Sequence, residues 1–118
     1  MKFDLTRPCG NCPFRSDIHF GLRPDRVREI LGDERKDGRW WPAESFPCHK
    51  TIVYTANGTR VPETAQQCAG VMAILHRENK PNQAMQLAER FGLWKPERLD
   101  PKAPFYKSTK AAIKGQGP

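Results

Sequence analysis

Apolar residues recur along this chain with two different periods, and the changes of period predict its elements. Val27, Ile30 and Leu31 fall at i, i+3 and i+4, the stripe of a helix over 24–31. Pro24 suits a first helical position and Gly32 a stop. Cys68, Val71, Met72 and Leu75 fall at i, i+3, i+4 and i+7, which predicts a helix over 65–79 opened by a Thr64/Gln67 capping box. That register puts Cys68 in the first turn, where the helix dipole favours a thiolate. A third helix from about Asn82 to Phe91 would turn Met85, Ala88 and Phe91 inward and end at Gly92. Residues 51–55 are β-branched and aromatic and read as a strand. Asn57-Gly58 predicts a hairpin turn, and 59–61 return until Pro62. Such a hairpin is marginal alone and needs a surface to pack on. Residues 1–22 and 33–47 read as irregular. After Trp94 the chain is spaced by Pro96, Pro101 and Pro104, with weak helical turns over 108–114.

Composition limits what these elements can bury. The 118 residues make one domain, and hydrophobic residues are 37% of them, below the globular average of about 45–50%. A core this modest gains from a cross-link. The N-terminal residues lack a signal-peptide pattern, and no stretch reaches the ~18–20 apolar residues of a membrane span. The expectation is a cytoplasmic protein with reduced thiols, two disulfides being the alternative.

The candidate chemistry is in the cysteines. Cys9 and Cys12 form a C-x-x-C bracketed by Pro8 and Pro13, Cys48 lies in Phe46-Pro47-Cys48-His49, and Cys68 in Cys68-Ala69-Gly70. Four thiolates can hold a zinc ion or an iron–sulfur cluster. Zinc sites of this kind usually show two C-x-x-C knuckles, whereas here Cys48 and Cys68 stand alone. The distributed spacing points to a 4Fe–4S cluster on Cys9, Cys12, Cys48 and Cys68, with one zinc ion as the alternative. Pro13, Phe14, Phe46, Pro47 and Val71 could shield it. His49 could replace one cysteine as ligand or support the site by a hydrogen bond. The expected fold class is α+β: a small irregular domain with two or three helices and a short β-hairpin around a four-cysteine metal site. Residues 1–94 form the metal-binding domain, and 95–118 a basic strap or tail.

These motifs resemble a family of small uncharacterised four-cysteine proteins from phages and actinobacteria, which share a C-x-x-C-P-x-R start, an F-x-C-H centre and a C-A-G near a helix start. The resemblance covers 8–15, 46–51 and 68–70; it implies a shared fold and metal site and no established activity. Cys9 to Arg15 is also similar to a stretch of the WhiB-like iron–sulfur regulators. There, however, one of the remaining cysteines precedes the C-x-x-C, whereas here both follow it.

Catalytic constellations fare poorly. His76-Arg77-Glu78 and Pro8-Cys9-x-x-Cys12 carry the H-x-E and P-C-x-x-C of zinc nucleobase deaminases, but in reversed order. Cys48 and His49 are sequence neighbours, which in an extended segment point to opposite faces. The formal net charge of +7, with six basic residues against two acids from Lys95 onward, favours nucleic acid or an acidic protein as partner. Arg15, Lys50 and Arg60 could meet phosphates. Trp40, Trp41 and Trp94 could stack on bases, mark an interface or simply cover a thin core. The sequence therefore points to a binding or regulatory protein acting on nucleic acid or its machinery. An iron–sulfur enzyme, redox or nucleic-acid modifying, is the alternative.

Overall fold

The computed structural model describes residues 1–10, 12–18, 21–32 and 41–116. Four helices and one hairpin follow in the order α1 (Pro24–Leu31), β1 (Val53–Thr55), β2 (Gly58–Arg60), α2 (Ala69–Arg77), α3 (Gln83–Arg90) and α4 (Thr109–Gly115). Trp40 lies outside the described residues.

The centre of the molecule is α2. All residues over 69–75 are buried, so this helix has no polar face until His76. It begins later than its periodicity predicts. Cys68 is the N-cap, not a first-turn residue, and the Thr64/Gln67 capping box does not form. The backbone groups of 65–67 are used sideways instead. Lys2 N donates to Ala65 O and Gln67 N to Lys2 O, while Cys48 N donates to Gln66 O and Cys68 N to Phe46 O. The N-terminal segment and the 46–48 segment thus flank 65–67 as short extended bridges. These cross-chain bonds satisfy the groups that a capping box would have used.

The α1 boundaries agree with the apolar stripe, and Val27, Ile30 and Leu31 are buried against α2 and α4. The hairpin is shorter than expected and its turn is shifted. Thr55 pairs with Gly58, so Ala56 and Asn57 form the turn and Gly58 opens the return strand at φ 122°. Residues 49–51 form a tight helical turn instead of strand. Every residue of β2 is exposed, contrary to the expected packing. In α3, the Asn82 side chain accepts from Met85 N, and Met85 and Ala88 face inward as expected. Phe91 does not; it is 71% exposed, because α3 ends at Arg90 and the chain turns through Gly92 at φ 71°.

The proline-spaced segment is an ordered strap. Asp100 N donates to Thr6 O and Ser16 N to Pro104 O, and Phe105 and Tyr106 are buried. It leads into α4, a fourth helix where two or three were expected, capped by Ser108 accepting from Ala111 N. Gln116, buried at its end, accepts from Leu22 N at 3.0 Å and donates to Pro13 O.

Candidate metal centre

Three segments deliver the cysteines to the N-terminal end of α2. The first brings Cys9 and Cys12, with Cys12 N donating to Cys9 O and Arg15 N to Cys12 O, each at 3.1 Å. Gly70 is the reason it can lie so close. A Cβ there would stand 2.7 Å from Phe14 Cβ and 3.1 Å from Cys12 Sγ. The second segment brings Cys48, whose carbonyl is held by both Thr51 N at 2.9 Å and Thr51 Oγ1 at 2.8 Å. The third brings Cys68 on the cap of α2.

None of the four cysteines is in a disulfide. Three of them and His49 meet in two adjoining pairs. Cys12 Sγ lies 3.6 Å from Cys68 Sγ, and Cys9 Sγ lies 3.7 Å from His49 Nε2. Hydrogen bonding also links Cys9 to Cys12, and Cys48 is near enough for its charge to act on Cys68. Among the described residues no three histidine, cysteine or carboxylate side chains are gathered tightly enough to count as a metal-holding group. The pairs therefore adjoin without closing into one polyhedron.

The electrostatics differ from the sequence expectation at one point. Helix-dipole reasoning made Cys68 the thiolate, yet Cys68 is pushed well above its ordinary 9.0. Its hydrogen bond to Cys12 retains the proton, burial adds to this, and negative charge on Cys12 and Cys48 acts the same way. Cys12 is brought down to about 7 by that same hydrogen bond, against burial and with help from Phe14 N–H, Cys9 and the Arg15 charge. A buried thiol pair releases its first proton from the sulfur whose thiolate accepts more hydrogen bonds, here Cys12, which also receives Phe14 N at 3.4 Å.

The surroundings suit soft ligands. Phe14 is fully buried and meets the Phe46 ring edge-on at 5.8 Å. Arg26 stands over the other aromatic of this pair, 5.9 Å from the Phe46 centroid. Gln67, buried beside Cys68 in the chain, accepts from Phe46 N and has no acceptor for Nε2 among the described residues. Two thiolates on one tetrahedral ion at ~2.3 Å stand about 3.8 Å apart, close to the observed 3.6 Å. The donor set, three buried cysteines with Cys9 half-buried and an imidazole in contact, fits a thiophilic metal.

The remaining candidates are scattered. Arg15 is committed to Asp17 at 2.7 Å and reaches Cys9 O at 3.4 Å. Lys50 is exposed with its Nζ toward Gly10, and Arg60 is exposed on the hairpin. Trp94 is 2% exposed and cannot stack on a partner, whereas Trp41 is 74% exposed. His76 is exposed at the end of α2, far along the helix from the cysteines, as a solvated helix end would be. Sequence reasoning missed Gly70, Gln67 and Asn82. A glycine in the first turn of an apolar helix was the available sign of a close backbone approach.

Fold and site together define a small α+β domain with reduced cysteines converging on the start of a buried helix. The chain belongs to a family of unknown function, DUF6283, whose profile matches residues 4–117 and so spans the C-terminal strap as well as the cysteines. No curated protein and no solved structure matches it. Among the described residues no helix is long and apolar enough to cross a membrane.

Proposed function

We propose that this protein is a small basic metal-centred binding or regulatory protein that acts on nucleic acid or nucleic-acid machinery. The observation that carries the metal reading is the pair of short contacts, Cys12–Cys68 at 3.6 Å and Cys9–His49 at 3.7 Å, next to Cys48 at one helix end. Cys12, Cys68 and Cys9 with Cys48 or His49 would hold the metal. Their spacing favours a single tetrahedral ion over a 4Fe–4S cluster, whose thiolates sit on different irons and stand farther apart. The metal, when bound, would serve as a cross-link between the 8–15, 46–51 and 65–70 segments. The +7 charge supports a polyanionic partner.

The test begins with anaerobic purification, elemental analysis and an absorption spectrum. Zinc at one equivalent per chain supports the single ion; a broad visible band with iron and sulfide supports the cluster. Binding to labelled duplex and single-stranded nucleic acid is then measured at two salt concentrations, because phosphate contacts weaken steeply with salt. Charge-neutral replacement of the exposed Lys102, Lys107 and Lys114 should flatten that salt slope. No binding in any arm, with a visible cluster that reacts with a small molecule, would favour the iron–sulfur enzyme.

A further inference from the structure

The 41–44 segment and the start of α3 form a cleft of about 360 Å³ lined by Trp41, Pro42, Glu44, Pro81, Asn82 and Gln86. We propose that this cleft receives one unstacked nucleobase of a single-stranded nucleic acid. The proposal uses the nucleic-acid reading above only for the ligand's backbone; the cleft's own chemistry is independent of the metal.

Four observations support it. Trp41 is a large flat ring left 74% exposed in a chain that buries Trp94. An exposed indole at the mouth of a cleft is a platform on which any base can stack. Backbone hydrogen bonds tie the 41–44 wall to the helices on either side. Ala43 N donates to Ile30 O at 3.1 Å and Ala84 N to Glu44 O at 2.9 Å, fixing the 41–44 segment between α1 and α3. Its polar groups are of both kinds, the Glu44 carboxylate accepting and side-chain amides donating, the mixture a base edge presents in reverse. Asn82 is buried at the cleft with Oδ1 taking Met85 N at 2.9 Å, while its buried Nδ2 has no acceptor among the described residues. A base carbonyl or ring nitrogen seated at the floor would supply that acceptor. Among the described residues no lysine or arginine lines the cleft.

The experiment titrates the full-length, metal-replete protein with short labelled single strands of mixed sequence and with the duplex made from the same strand. Trp41→Ala should weaken single-strand binding by about tenfold or more, with the thermal transition unchanged because the ring is exposed. Trp41→Phe, which keeps a stacking face, should recover most of the loss. Asn82→Asp keeps the cap acceptor for Met85 N and removes the amide donor, so it should weaken single strands without loss of helicity. Duplex binding should be unmoved by all three. Should the wild-type protein bind single strands with a steep salt slope and Trp41→Ala bind equally well, the cleft assignment fails while the nucleic-acid reading survives. Absence of single-strand binding by the wild-type protein at either salt would end the cleft assignment, and absence of duplex binding as well would end both. Binding of a proline-rich peptide that Trp41→Ala abolishes, with no competition by single strands, would also overturn the base assignment.

Discussion

The two ends of α2 do the same mechanical job with opposite chemistry. At its C-terminal end Glu78, Lys80 and Thr109 form a closed polar knot. Lys80 Nζ meets Glu78 Oε2 at 3.0 Å and Thr109 Oγ1 at 3.2 Å, and Thr109 N donates to Glu78 Oε1. That knot ties the start of α4 to the end of α2 using groups the chain supplies itself. At the N-terminal end three cysteines and an imidazole meet in two adjoining pairs with Cys48 beside them, and among the described residues they do not gather into a metal-holding group. The contrast is in bond strength: polar chain groups close one end by themselves, whereas thiols are weak hydrogen-bonding partners, and under the proposed function a metal would close the other.

The largest effect should come from breaking the sulfur end. Cys12→Ser should lose the metal and lower stability by more than about 4 kcal/mol, since structural metal binding is worth more than that; calorimetry with and without a strong chelator reads both. Chelation should shift the wild-type transition and leave Cys12→Ser where it is. Next come two glycines that permit close approach, Gly70 at the start of α2 and Gly115 at the end of α4. Gly70→Ala forces its Cβ onto the backbone-bound Cβ of Phe14, and Gly115→Ala sets a Cβ against Tyr106 Oη. Each should cost about 1–3 kcal/mol by overpacking. Only Gly70→Ala should also reduce metal content, which separates packing at the cysteines from packing elsewhere in one pair of measurements.

The polar knot gives a pH signature. Burial pushes the Glu78 carboxyl up, but Thr109 N–H and the Lys80 ammonium more than offset this and hold it below its ordinary 4.5. A carboxyl with a depressed folded value contributes stability that is present above its unfolded value and is lost as pH falls through the folded one. Glu78→Gln should therefore destabilise the protein at neutral pH by about 1–3 kcal/mol. The difference from wild type should shrink below about pH 4.5 in acid denaturation curves. The smallest effect is expected at the exposed Arg7–Asp100 pair, 2.9 Å apart. Arg7→Ala should change stability by less than about 1 kcal/mol, and by less still at high salt.

How far the sequence announced this molecule follows from which interactions are local. The limits of α1 and the inward faces of Met85 and Ala88 were legible, because an apolar stripe and a stop residue are local signals. The start of α2 was not, because 65–67 bond to Lys2 and to 46–48, partners far away in the chain. The same holds for the strap, whose proline spacing looked loose until Phe105, Tyr106 and Gln116 found places on the core. Of the site, the cysteines stood out by type. Their pairing of Cys12 with Cys68 and of Cys9 with His49, and the retention of the proton on Cys68, depend on three segments meeting.

The central claim is that the sulfur end of α2 is completed by a metal. Its most direct test is metal content per chain in protein purified without oxygen, measured together with the number of thiols that react under native conditions. The account predicts one metal centre per chain and cysteines protected until a chelator or Cys12→Ser releases it. A folded, cooperatively melting protein with no bound metal and freely reactive cysteines would contradict it.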